Sequence, residues 1–226
     1  MESFTNEVLG PGTARRGEAI QPAPAHEEER AEDKGEIEAI GDKVRDMQNM
    51  LRSHIEMVQA QAYTDSLTGV GNMAVYAEKT EQLSEAIKAG GASFALGIFD
   101  VNGLKQINDR YGHEQGDHAI VGSAEALIEA FGLEHVFRVG GDEFVVVMEH
   151  VTPEEITFRL QAFDDALAAI NERRDKEFPD ITVSRGWSAF HPQEDQDTKS
   201  VVRRADEDMY RAKAAFYNTH PDRRGR

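Results

Sequence analysis

The chain has 226 residues, room for one domain of ordinary size plus an extension, and its 25 Lys and Arg against 42 Asp and Glu leave a formal charge of -17. That balance works against non-specific contact with nucleic acid or an anionic membrane surface, so a nucleotide would have to be met by metal ions and a few placed cations. With no cysteine in the chain, disulfides, zinc-thiolate centres and cysteine nucleophiles are excluded.

No stretch approaches the roughly 20 apolar residues that span a bilayer, and the first residues lack the apolar run of a signal peptide. A cytoplasmic protein without membrane insertion is expected. Residues 1–34 are rich in Pro, Gly, Ala and Glu and poor in large apolar groups, a composition that predicts a disordered acidic tail. Residues 35–62 change character: Ile37, Ile40, Val44, Met47, Leu51, Ile55, Val58 and Ala62 recur at spacings of three and four, which builds one apolar stripe on a helix. Such a helix packs either on its own domain or on a second copy as a parallel coiled-coil stalk, and the residues alone leave both open.

Residues 63–218 read as a globular domain and 219–226 as a flexible end. "SFALGIFDVN" (93–102) predicts a buried strand and "AIVGSAEALIEAF" (119–131) an amphipathic helix. "HVFRV" and "FVVVM" predict a hairpin around Gly140-Gly141-Asp142-Glu143, with the glycines supplying positive φ at the turn. Helices over 153–174 and 199–217 flank a strand over 180–190. The order βαββαβ plus a helix implies an α+β domain with a mixed, largely antiparallel sheet and helices on its faces.

Asp100 follows five apolar residues at the mouth of the first strand, a poor place for a core residue and a good one for a hard-cation ligand. Should that strand lie beside the hairpin, Asp100, Asp142 and Glu143 meet at one edge. The plain alternative is a capping Asp100 and solvated hairpin acids. An oxygen-only site with room for water and phosphate oxygens suits magnesium.

"GGDEF" at 140–144, with Arg138 before it, resembles the signature of the GGDEF family of diguanylate cyclases, which join two GTP into cyclic di-GMP. "TDSLTGVGN" (64–72), "FDVNGLKQINDRYGHEQGD" (99–117), "VSRGWS" (183–188) and "ADEDMYRAK" (205–213) accompany it in order. The resemblance implies a palm-like fold similar to nucleotidyl cyclases. It implies Asp100, Asp142 and the carbonyl of Val101 as ligands of Mg2+ (or Mn2+), two ions per GTP, with Glu143 beside them. It implies Asn108 and Asp117 as guanine readers, against the plain alternatives of a turn residue and a helix cap. Gly140 and Gly141 would let backbone approach the phosphates, and Lys105 and Lys213 would meet the triphosphate. Asp65 is expected to cap or pin the entry to the domain, and His113 to be a packed or hydrogen-bonded rather than a catalytic histidine.

The sequence departs from the family pattern at Asn102, Leu104, Met73, Phe216 and Tyr217. Tyr217 stands where the family has a basic residue that helps hold the triphosphate, which implies weaker GTP binding. Phe131 and Glu134 occupy the positions of an Arg-x-x-Asp product-inhibition site, so weak feedback by product is expected. One GTP per domain and two per product imply a homodimer, which favours the stalk reading of residues 35–62 and makes tail or stalk the place for an upstream regulatory protein. The competing reading is a catalytically silent module that binds GTP or another protein.

Overall fold

The computed structural model describes residues 39–55 and 62–221, which divide into two units between His54 and Ile55. Residues 39–55 are helical (α1), all but Ile55 in the first unit, as the three-four spacing predicts. Ile40, Val44, Met47 and Leu51 are all exposed on it, and Asp42 and Arg45 pair one turn apart. The expected tail, residues 35–38 and the segment 56–61 lie outside the described residues, as do 222–226.

The second unit runs α2 (Met73–Lys88), β1 (Phe94–Val101), α3 (Leu104–Tyr111), α4 (His113–Phe131), a single 3-10 turn (Leu133–His135), β2 (Val136–Arg138), β3 (Glu143–Glu149), α5 (Pro153–Arg173), β4 (Val183–Ala189) and α6 (Thr198–Thr219). The four strands form one sheet in the order β2-β3-β1-β4, every neighbouring pair antiparallel. Among the described residues the sheet is therefore antiparallel and not mixed; an isolated parallel bridge from Gly71 to Phe137 lies outside the named strands.

β1 is central and buried along its whole length. Its period of two sorts the cores: Phe99 and Val101 join Phe144, Val146, Leu127, Phe131 and Phe163 on the α4–α5 side. Phe94, Leu96 and Ile98 join Val145, Val147, Leu83, Val201, Ala205 and Met209 on the α2–α6 side. The same alternation carries Asp100 to the α6 side, at the end of an otherwise apolar row. α6 reaches that row because Gly186 of β4 has no side chain: a Cβ there would lie 2.0 Å from the Ala205 carbonyl oxygen.

Local signals explain the helix ends. Thr152 caps α5, accepting from the Glu155 N–H with Pro153 behind it, and Asp197 caps α6, accepting from the Ser200 N–H at 2.9 Å. Two helices escape the periodicity reading. α2 and α3 carry few large apolar residues, and in each just one residue, Leu83 and Ile107, is fully buried. α4 begins at His113, six residues ahead of the predicted start, so Asp117 lies inside the helix and does not cap it.

Candidate functional site

At the end of β1, Asp100 faces Glu143 of β3 on one side and Ser184 of β4 on the other. Its side chain is 3% exposed. Oδ2 accepts from Lys213 Nζ of α6 at 2.6 Å, while Oδ1 is buried with no donor. Burial pushes the carboxyl up to about 6, against the opposing pull of Lys213 and with a further push from Asp142 and Glu143. Burial works against the Lys213 ammonium too, but the hydrogen bond and charge of Asp100 outweigh it and hold its pKa above the usual lysine value.

An orphaned carboxylate oxygen at a crowded acidic edge fits a hard cation. Yet among the described residues no group of three or more Asp, Glu, His or Cys side chains is arranged to hold a metal. Asp142 and Glu143 stand close enough to push on the Asp100 charge, while Asp100 itself accepts from Lys213. A cation here would draw its remaining ligands from main-chain, water and substrate oxygens.

The loop leaving β1 is fastened at each residue. The Val101 N–H donates to the Asp142 carbonyl at 3.0 Å and the Asn102 N–H to the Thr182 carbonyl at 2.8 Å. Asn102, 2% exposed, accepts from Ser184 Oγ at 2.8 Å, and the Gly103 N–H donates to the Tyr217 hydroxyl at 3.2 Å. Gly103 takes φ 69°, a left-handed conformation that favours glycine.

The hairpin tip is held by Arg138. It donates to the Gly141 carbonyl at 2.7 Å and to Asp65 Oδ1 at 2.9 Å, and Asp65 also accepts from the N–H and hydroxyl of Thr68. Gly71 bridges to Phe137, so residues 64–72 are bound to the strand that enters the turn. Gly140 and Gly141 are not at positive φ, contrary to the turn expectation. Space distinguishes them instead: a Cβ on Gly140 would sit 2.9 Å from Glu143 Oε2, and one on Gly141 would meet nothing within 4 Å.

Asn108 and Asp117 stand where α3 meets α4. The helices approach so closely that a Cβ on Gly116 would lie 1.9 Å from Asn108 Oδ1, an atom buried without a donor. Asp117 is exposed on the next residue of α4. Lys105 is exposed on α3, and His113 is exposed at the start of α4. Phe131 lies in the core, stacked on Trp187 at 5.8 Å. Sequence reasoning missed the Tyr217, Asn102 and Arg138 contacts. Position 217 was flagged by its departure, but its partner is 114 residues away in sequence. No described helix is long and apolar enough to cross a membrane.

A family model described as "Diguanylate cyclase, GGDEF domain" matches residues 62–219. The chain is 32% identical to diguanylate cyclase DgcP of Pseudomonas aeruginosa over 84% of its own length and 29% of that protein. It is 27% identical to diguanylate cyclase DgcS of Shewanella oneidensis, over 71% of this chain and 52% of the relative. The chain therefore spans about half or less of these relatives. Among solved structures it resembles the coiled coil and GGDEF domain of Caulobacter crescentus DgcB in complex with c-di-GMP, at TM-score 0.65 and 25% identity, over 79% of this chain and 95% of that one. It also resembles Pseudomonas aeruginosa diguanylate cyclase SiaD in complex with its activator SiaC, at TM-score 0.61 and 25% identity over 84% and 73%. A signature hairpin beside a buried strand-end aspartate, on a sheet that matches these structures, fits the sequence match, and this chain belongs to the GGDEF domain family.

Proposed function

We propose that the chain is a diguanylate cyclase that condenses two GTP into cyclic di-GMP and two pyrophosphates. The observation that carries this reading is the register of β1 against β3, which sets Asp100 opposite Glu143 one residue from Asp142, with Lys213 against the same carboxylate.

Each residue has a task. Asp100, Asp142 and the Val101 carbonyl would hold Mg2+ or Mn2+, two ions per GTP, with Glu143 alongside. Bound there, the ions would neutralise the triphosphate and lower the pKa of a ribose 3′-hydroxyl. Lys213, released from Asp100, and Lys105 would meet phosphate oxygens, and open space at Gly141 leaves the backbone approachable. Asp117 would accept from guanine N1–H and the 2-amino group, a donor pair that adenine lacks, with Asn108 beside it.

One domain holds one GTP, so the attacking hydroxyl and the receiving α-phosphate come from two chains face to face. The exposed apolar stripe of α1 supports a homodimer joined by a coiled coil, and the similar DgcB structure comprises a coiled coil and a GGDEF domain. SiaD works with an activator protein, which supports a regulatory partner acting through tail or stalk.

A silent GTP-binding or protein-interaction module is the second reading, favoured by Tyr217 in place of a phosphate-holding cation and by Asp100 being closed off by Lys213. Incubating the purified protein with GTP and magnesium at several protein concentrations separates the two. Cyclic di-GMP and pyrophosphate, at a specific rate rising with protein concentration, are the expected result. GTP binding with no product at any concentration would overturn the cyclase reading.

A further inference from the structure

Lys213 and Tyr217 lie four residues apart on one face of α6 and touch two successive points of the β1 exit, Asp100 at 2.6 Å and Gly103 at 3.2 Å. Both Asp100 oxygens are out of water, one on Lys213 and one sealed without a donor. A cation that binds Asp100 competes with the ammonium for the charge of that carboxylate. When Lys213 leaves, Tyr217 keeps a hydrogen bond from the loop to α6.

That contact falls where the loop is otherwise weakest. Val101 and Asn102 are tied to neighbouring backbone, but α3 has no side-chain cap and the Gly103 N–H is among the first amides of the helix, which have no partner inside it. The Tyr217 hydroxyl supplies the acceptor. Its ring is held edge-on by Phe216 at 5.4 Å and 72°, and Phe216 in turn stacks on His220 at 4.5 Å.

We infer that Tyr217 is a positioning residue, whose hydroxyl anchors the loop Val101–Gly103 to α6 so that the Val101 carbonyl and Asp100 keep their register while Lys213 exchanges from the carboxylate to an anionic ligand. The inference rests on the cation site of the proposed function, and gives position 217 a role opposite in chemistry to a cationic one: it accepts a hydrogen bond from the protein instead of donating to phosphate.

Tyr217→Phe keeps the ring and removes only the acceptor. Manganese binding to the full chain without nucleotide, followed by electron paramagnetic resonance, should weaken about fivefold, the worth of one ordinary hydrogen bond. The Gly103 amide should exchange faster by hydrogen-exchange NMR, with the melting temperature little changed. Tyr217→Arg has donors but no acceptor. It should lose Gly103 protection and manganese affinity like the phenylalanine variant while lowering KM for GTP.

Unchanged manganese affinity and Gly103 exchange in Tyr217→Phe would overturn the inference, as would full Gly103 protection in Tyr217→Arg. A wild-type chain that binds no manganese would overturn it as well. A chain that binds manganese, weakens on Tyr217→Phe and yet makes no cyclic dinucleotide would sink the cyclase reading and leave this one standing.

Discussion

The two ends of the candidate site are built on opposite principles. At the β1 end, Asp100, Val101, Asn102 and Gly103 are each fastened by a hydrogen bond to α6, to β4 or to the backbone of Asp142 and Thr182, and the charge is buried and paired before any ligand arrives. At the α3–α4 end, Asn108 is placed by one close approach to Gly116, and Asp117 stands exposed. On the proposed function, chemistry at the first end demands rearrangement of an existing ion pair, and recognition at the second demands little more than filling an open space. A closed, costly end and an open, cheap one should answer differently to mutation.

The largest effect is expected at the closed end. Asp100→Asn keeps the shape and removes the charge, so turnover should fall by about a thousandfold or more, because both cation binding and charge stabilisation are lost. Stability should move the other way. Burial disfavours the charged carboxyl at neutral pH, and its removal should raise the unfolding free energy by about 2 kcal/mol in urea titrations. An inactive variant that is also less stable would mean that Lys213, deprived of its partner, costs more than Asp100 itself.

At the open end the effects should be confined to base choice. Asp117→Ser removes a surface carboxylate, so the fold should be untouched, and the preference for GTP over ATP in binding competition should drop about thirtyfold. Unaltered preference would remove Asp117 from the guanine assignment. Gly116→Ala tests the placement of Asn108: the added methyl forces the carboxamide to move, and affinity for a non-hydrolysable GTP analogue should fall about tenfold, with manganese binding unchanged. If both fall together, the two ends are not independent.

The same contrast separates what the sequence made legible from what it hid. Short apolar runs located all four strands, and the helices read over 153–174 and 199–217 lie within two residues of α5 and α6, because these signals depend on neighbours in the chain. The juxtaposition of Asp100 with the hairpin followed once β1 was set beside β3. The pairing of Asp100 with Lys213, of Gly103 with Tyr217 and of Arg138 with Asp65 was not legible, since each joins residues 73 or more apart and depends on how closely helix and sheet approach. α3 was hidden for a related reason: an eight-residue helix with Ile107 as its one buried side chain shows no period. The early start of α4 at His113 was masked by the largely polar run over 113–118, which has no large apolar residue.

The smallest effect is also the most direct measure of how costly the closed end is. The folded Asp100 carboxyl lies near 6 against an ordinary 3.8, so between those values the folded chain holds a proton that the unfolded chain has released. Stability from this group therefore falls as pH rises through the window, and its unfavourable contribution is fully present above about 6. Asp65 and Asp195 have the opposite sign. Burial of Asp65 is outweighed by its bonds to Thr68 and Arg138, and Arg204 leads in holding Asp195 low, so both lie below the ordinary value and lose their stabilisation only at more acid pH. They are common to wild type and Asp100→Asn and cancel in the difference. The stability gap between the two proteins should accordingly shrink by about 1 kcal/mol from pH 7 to pH 5 in urea titrations. A gap that stays constant would mean that Lys213 keeps Asp100 ionised throughout, and that the closed end is held by the ion pair at no electrostatic cost to the fold.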